Sequence, residues 1–584
     1  MIHRSLMRGL QLRGHEIVTI TTDPVWDMDV KNYTEIDISA AQDLWEERYN
    51  FAAMKENNFK LTGFVLDLLD FASDLSRMMF NTPGVQRLLR EENKFDVVIV
   101  EWLGSPCADG YAYHFSAPLI GIMPFGLEYT GHDSVANPTN PAYTTDINIP
   151  FSDRATFWER LKRFSYSLWF RYMWYTTGFS AQHEIAKEYF GKHIPYIGDL
   201  HQNVSLLLVN HESKIGYVRP YVPGIVEIAG IHLKEPQPLK AELQNFLDGA
   251  PEGVIYFNLG TNIKSDTLAQ DKRQMFLDVF SDLTQFRVLW KWDTDELPGQ
   301  PSNVKVAKWF PQQDLLRNVL TMSYVEKYFI AVMSTRAEAC LTVSVRFSEQ
   351  VGHVLFSNQE INSERNVSYY CVIYWNEHYP ASSHSPESFS WLEYNHPSIK
   401  VFMYHGGLQS TLEAIRASVP LICFPFFGDQ YLNVRKIAEE GAGMVMDINK
   451  LTKHTMKATL TEVIYNSTYK ENMEKLSNRL NDQPEKPLDR AVWWVEYVIK
   501  HKGTRHLRSA ALDLTWHQYL LLDVIAFISV VFIITIWATY RIIRIISLNK
   551  IISSLRKKFQ DYRSYFRYQQ GIEDLGTKTG EVQK

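Results

Sequence analysis

The sequence predicts an α/β protein of two doubly wound halves on parallel sheets, followed by one membrane-spanning helix. Three observations carry this reading. Aliphatic runs such as FDVVIV at 95–100 and VIYFNL at 254–259 alternate with stretches of helical period, and a continuous apolar run is how a strand buried on both faces reads. Several of these runs end at glycine or a polar residue, at the carboxyl ends where doubly wound sheets hold ligands. Residues 524–540, VIAFISVVFIITIWATY, carry no charge between Asp523 and Arg541, near the shortest length that spans a bilayer as a helix.

Composition narrows the classes. The chain has 584 residues, 45% hydrophobic and 22% charged, which excludes disordered, collagen-like and many-pass membrane proteins. A net charge of −6 argues against a nucleic-acid partner. The four cysteines fall in no CxxC or Cys/His spacing, so neither a disulfide framework nor a thiolate metal site is expected.

In chain order, Leu6 and Leu10 mark a helix leading into a strand at 16–22, and strands follow at 95–100 and 118–122. The aromatic stretch 157–177 sets Leu161, Phe164, Leu168 and Tyr172 at helical spacing. It reads as a core-packing helix or as one wall of an apolar pocket. KEPQPL at 234–239 is the linker. The second half opens with the strand 254–259 running into Gly260-Thr261-Asn262, then strands at 288–292 and 304–307, the latter before Trp309-Phe310-Pro311-Gln312-Gln313. A strand at 401–404 enters His405-Gly406-Gly407, a helix reaches Ala417, and a strand at 420–424 precedes Asp429-Gln430.

These groups suit a nucleotide. Glycines 260 and 407 let backbone approach an anion, and Ser410 falls in the first turn of a helix whose free N–H groups suit a diphosphate. Glu413, three residues on, shares that face and can accept from a ribose diol. Trp309 offers a flat face to a base, and Asp429 and Gln430 offer acceptors and donors to sugar hydroxyls. Singly each has a plainer structural reading: Trp309 as core, Glu413 as surface charge, Asp429 as a turn former. As an ordered series at strand ends the set is specific.

At the C-terminal end, leucines 520–522 lengthen the apolar stretch, so the span is read as 519–540. Residues 541–584 hold ten Lys/Arg against four Asp/Glu, a net +6 that leaves −12 on the rest. A basic flank puts the tail in the cytosol and the body on the lumenal side. Sequons at Asn32, Asn203, Asn366 and Asn466 fit lumenal exposure. The chain nevertheless opens MIHRSLMRGLQLRGHEIVTITT, without an apolar leader.

WFPQQD at 309–314 and HPSIKVFMYHGGLQSTLEAIRASVPLICFPFFGDQYLN at 396–433 resemble the nucleotide-sugar signature of the family 1 UDP-glycosyltransferases. DQPEKPLDRAVWWVEYVIKHKG at 482–503, with one span and a basic tail, is similar to the animal membrane-bound branch, and FGDQYLNV at 427–434 to its insect members. The resemblance covers most of the chain. It implies a GT-B fold, two Rossmann-like domains facing a cleft, with UDP-sugar as co-substrate, no metal and no other cofactor. It implies that Trp309 stacks on uracil, Gln312 contacts base or ribose, and Glu413 binds the ribose hydroxyls. His405, Gly407, Gln409, Ser410 and the Gly260-Thr261 backbone would hold the diphosphate, and Asp429 and Gln430 the transferred sugar. The implied reaction is inverting: a histidine base takes the proton of an acceptor hydroxyl, which attacks the anomeric carbon as UDP leaves. Glu101, ending the 95–100 run, stands where the family has the aspartate that orients this base, one methylene longer.

Two stretches depart from that pattern. Aligned on Leu-Arg-Gly-His at 12–15, the base, the first strand and a leader would all precede Met1. His3 matches a non-catalytic helix position and His15 an ordinary helix-end histidine. One N-terminal truncation accounts for the three, and exposed apolar surface beside the lost strand is the expected consequence. Residues 318–395, 78 residues without sustained period and containing Cys340 and Cys371, separate WFPQQDLLR from HPSIKVF. They read as a translated intron ahead of an extra acceptor-side or regulatory loop.

The expected division is an acceptor-side domain at 1–235, a UDP-sugar domain at 236–317 and 396–480, the insertion 318–395, a return helix at 481–518, the span 519–540 and the tail 541–584. The expected function is transfer of glucose, ahead of glucuronate, to a small lipophilic acceptor in detoxification at the endoplasmic-reticulum membrane. Glucuronosyl transfer and a catalytically dead UDP-sugar-binding or partner-modulating chain stay open, as does a homo-oligomer.

Overall fold

The computed structural model describes residues 1–25, 32–50, 61–317, 353–357, 370–374 and 399–578. They form two compact units, Met1–Arg508 and Ser509–Lys584.

In the first half of the larger unit, β1 (Ile17–Thr21) pairs in parallel with β2 (Tyr33–Asp37). Strands β3 (Val98–Glu101), β4 (Leu119–Met123), β5 (Leu206–Val209) and β6 (Ile225–Glu227) form a four-stranded parallel sheet in that order. The sequence located β1, β3 and β4. It missed β2, whose five residues YTEID carry no apolar run, and β5 and β6, which at LLLV and IVE are too short for a period to register. No ladder joins β1–β2 to the four-stranded sheet. The apolar flank expected to be exposed there is half-buried instead. Ile17, Val97 and Ile99 pack among Ile2, Leu6 and Leu10 of the helix Ile2–Leu12 and Val492 and Val495 of the helix Pro487–His501. These helices touch at Gly9, where a Cβ would stand 2.8 Å from Leu488 Cδ1.

The second half holds β7 (Val254–Asn258), β8 (Arg287–Lys291) and β9 (Val304–Ala307). Strands β10 (His353–Ser357) and β11 (Tyr370–Tyr374) make an antiparallel pair of their own. The rest of 318–395, with Cys340 and Asn366, lies outside the described residues. Strands β12 (Ile399–Tyr404), β13 (Leu421–Cys423) and β14 (Gly443–Val445) complete a six-stranded parallel sheet in the order β14-β13-β12-β7-β8-β9. Both faces are covered, as the apolar runs require. Along β7, Ile255 and Phe257 point to the layer of Phe276, Phe280 and Leu460, whereas Val254 and Tyr256 point to that of Leu243, Leu412 and Leu476. Two Rossmann-like halves facing one cleft are the GT-B arrangement.

The helix Phe157–Met173 forms where its period placed it, closed by a capping box from Thr156 to Glu159. Its apolar stripe, however, faces outward: Leu161, Phe164, Leu168 and Tyr172 are exposed, and Arg163, Ser167 and Phe170 are the buried side. Neither core packing nor a pocket wall describes it. Polar ties hold the inner face instead, Arg163 Nη2 donating to Ser152 O at 2.6 Å and Arg171 pairing with Asp133 at 2.7 Å.

In the second unit one unbroken helix, Leu522–Lys578, carries the apolar segment and most of the basic tail. Its best window has a mean hydropathy of 2.3, enough by length and composition to cross a membrane.

Candidate functional site

The order β9-β8-β7-β12-β13-β14 reverses direction between β7 and β12, and doubly wound sheets bind ligands outside the strand ends at that switch point. Here β7 ends at Asn258, whose Oδ1 accepts the Gly260 N–H at 2.8 Å and turns the chain into a left-handed residue, φ +89° at Gly260. Beyond β12 comes His405. A Cβ on Gly260 would lie 2.6 Å from its Cε1, and one on Gly407 2.5 Å from its Nε2. The imidazole is therefore clasped by two glycines, and its Nδ1 is buried without a partner. Burial, aided by the nearby Lys291 ammonium, pushes His405 down to about 4. At neutral pH it is an uncharged ring that can donate one N–H.

The helix Leu408–Arg416 starts directly after Gly407. Its first amides, those of Leu408, Gln409 and Ser410, lack intrahelical acceptors, the arrangement by which a helix start receives an anion. Gln312 is the hub behind them. Its Nε2 donates to Ser410 Oγ at 2.9 Å and to Glu413 Oε2 at 2.6 Å. Its Oε1 accepts from Asn258 Nδ2 at 2.7 Å and Tyr256 Oη at 3.0 Å. Gln313 Nε2 takes Glu413 Oε1 at 3.1 Å, and His232 Nε2 stands 3.6 Å from the same oxygen. Burial raises Glu413 to about 7 against these donors, so the ionised form is held at a cost. Glu413 is thus no surface charge.

Trp309 lies two residues beyond β9 with 61% of its surface exposed, an open ring rather than core. Asp429, raised by burial to about 6, accepts Asn433 Nδ2 at 2.7 Å. The same amide reaches Gly406 O at 3.0 Å and so ties Asp429 to the His405 loop. Gln430 is buried, its Oε1 accepting the N–H groups of Phe426 at 2.8 Å and Phe427 at 3.3 Å.

Across the cleft, Glu101 ends β3 and lines a cavity of about 560 Å³ together with Thr261 and Asn262 of the second half. Trp45, Tyr49, Phe71 and Leu75 give that cavity an apolar wall. The imidazole facing Glu101 is His3, with Nε2 3.9 Å from Oε2. Ion pairs between the halves include Lys264 to Glu46 at 2.7 Å and Arg435 to Glu159 at 3.6 Å.

The sequence profile of the UDP-glucoronosyl and UDP-glucosyl transferase family matches residues 1–328 and 391–558. The chain belongs to this family. The transferase is 32% identical over 543 residues to the "UDP-glucosyltransferase 2" of Dactylopius coccus, covering 91% of this chain and 87% of that one. It is 26% identical over 561 residues to the human "UDP-glucuronosyltransferase 2B15", covering 91% and 89%. Among solved structures it superposes on the glycotransferase of kitacinnamycin with a TM-score of 0.46 at 16% identity, covering 84% of this chain and 94% of that one.

The transferase's switch point gathers Gly260, His405, Gly407, Gln409, Ser410, Gln312 and Glu413, with Trp309 beside them on the loop after β9. Residues the sequence did not single out complete it. Tyr256, Asn258 and Gln313 lie within the strand and the motif, and His232, held at about 4 by burial, donates toward Gln409 O at 3.3 Å. Lys291 at the end of β8 pairs with Asp293 at 2.5 Å, and Asp293 accepts the Ser265 N–H at 2.8 Å. Its position at a strand end of this half was the available signal.

Proposed function

We propose that the transferase moves a hexose, with inversion and without a metal, from a UDP-sugar to the hydroxyl of a small lipophilic acceptor. One observation carries this: Glu101 of the first half and Thr261 of the second line the same cavity. A donor laid along Trp309, Glu413 and Ser410 directs its sugar toward Asp429, Gln430 and that cavity, while Trp45, Tyr49, Phe71 and Leu75 receive the acceptor. Glu101 orients the histidine that takes the acceptor proton. By resemblance His3 holds a non-catalytic helix position, yet among the described residues it is the imidazole beside Glu101, 3.9 Å away. As the anomeric C–O bond breaks, charge grows on the UDP oxygens. It meets the amides at the start of Leu408–Arg416, the neutral His405 N–H and the Lys291 ammonium.

Glucose is the preferred sugar, supported by the wording and higher identity of the insect relative. The chain is anchored in the endoplasmic-reticulum membrane through 519–540 with the basic tail cytosolic. The exposed Asn32, Asn203 and Asn466 are then available for glycosylation.

The test is UDP release by the full-length protein with UDP-glucose or UDP-glucuronate and hydroxylated aromatic acceptors. Release should require acceptor, run faster with UDP-glucose, survive chelator and vanish in Glu101→Ala. Loss in His3→Ala with UDP binding intact would make His3 the base. Tight UDP binding without turnover from either donor would leave a UDP-sugar-binding chain.

A further inference from the structure

The helix Phe157–Met173 presents to solvent a face that a water-soluble surface does not explain. Phe157, Leu161, Phe164, Leu168 and Tyr172 recur at spacings of three and four, so they form one stripe along about four turns. Trp158 lies beside its start, 68% exposed, and Tyr172 near its end is 66% exposed. Arg160 on one flank and Lys162 on the other are exposed and border the stripe with positive charge. The opposite side is buried against the protein through Arg163, Ser167 and Phe170. No described element covers the stripe.

We propose that this helix lies in the headgroup region of the bilayer as an interfacial anchor, a second membrane contact besides the spanning helix. The proposal rests on the anchoring read above, since a chain carrying Leu522–Lys578 works beside a lipid surface. Three features select lipid as the occupant. The face mixes aliphatic with Trp, Tyr and Phe side chains, the residues that settle at the acyl–headgroup boundary. Cations flank it where they reach anionic headgroups while their stems stay apolar. The stripe is straight and narrow, suited to lying about 5–10 Å into a planar boundary, with the charged inner side kept on the protein. The exposed stripe is thus explained without invoking the donor site.

The test uses the full chain in vesicles of phosphatidylcholine with anionic lipid, with Cys340 and Cys371 replaced by serine. The buried Cys107 and Cys423 stay in place. Single cysteines carry an environment-sensitive fluorophore at Leu168→Cys, at Ile534→Cys in the spanning helix and at Glu474→Cys on the exposed side of Ser467–Asn481. Nitroxide lipids act as quenchers. The Leu168 label should be blue-shifted and quenched several-fold more than the Glu474 label, most strongly by shallow nitroxides, whereas Ile534 responds to deep ones. A Leu168 label behaving like Glu474 while Ile534 is quenched overturns the interfacial helix and leaves the anchor standing. An unquenched Ile534 label overturns the anchor and this proposal with it. A blue-shifted Leu168 label that no lipid quenches and that depends on protein density overturns it in favour of contact between copies.

Discussion

Gln312 Nε2 lies 2.6 Å from Glu413 Oε2, and this contact joins the loop after β9 to the helix after β12 across the switch point. It also holds a carboxylate in a place where burial opposes its charge. Glu413 has its folded pKa raised to about 7 from an ordinary 4.5. The sign follows. The folded chain binds this proton more tightly than the unfolded one, so the contribution to stability is whole below about 4.5 and is lost as pH rises through 7.

Glu413→Gln should therefore match the parent in thermal stability near pH 4.5 and exceed it at pH 8, by at most about 3 kcal/mol from the size of the shift. Its UDP affinity should fall about tenfold or more with the loss of a charged acceptor. Melting curves and calorimetric titration check both. A variant less stable than the parent at pH 8 would contradict the buried-carboxylate argument.

Gly260→Ala should cost stability and donor binding together. The residue is left-handed and its new Cβ would meet the His405 ring at 2.6 Å, so about 2–4 kcal/mol is expected. Gly428→Ala is the control. Gly428 is also left-handed, φ +59°, but has nothing within 4 Å of a Cβ, so only the backbone strain of about 1 kcal/mol remains. Equal losses in the two would dismiss the clasp around His405.

His405 sits at about 4 because it is buried, and a bound diphosphate opposes that shift. UDP binding should then take up protons between about pH 4 and 6.5 and tighten as pH falls through that range. Titration calorimetry in buffers of different ionisation enthalpy reads the uptake directly. If His405→Gln shows the same proton uptake as the parent, another group is responsible.

Trp309→Ala should weaken UDP by about 10–100-fold through lost stacking, and Trp309→Phe by much less, since base–aromatic stacking is worth about 1–3 kcal/mol. The acceptor KM should not move. Removal of the exposed ring should leave the melting temperature nearly unchanged, which a core tryptophan would not permit.

Much of the candidate site was legible because its residues sit where strands stop. Gly260, His405 and Asp429 follow apolar runs, and a run that breaks at a polar residue marks a carboxyl end without knowledge of the fold. Asn258 and Tyr256 were not legible: their role is to hold Gln312, a contact over 54 and 56 positions. The period of 157–173 gave the helix, yet not its orientation.

The sequence by itself determined two parallel α/β halves, the order of the polar groups at the strand ends of the second half, the family, and a helix apolar enough for a bilayer. These rest on local patterns of side-chain period and strand-end chemistry, which survive in any packing. Only the tertiary structure decided that Glu101 and Thr261 share a cavity, that His405 and His232 are neutral and Glu413 costly to ionise, and that the stripe of Phe157–Met173 faces outward. Burial, pKa and the choice of face depend on which distant segments arrive beside a residue, and no local period encodes that.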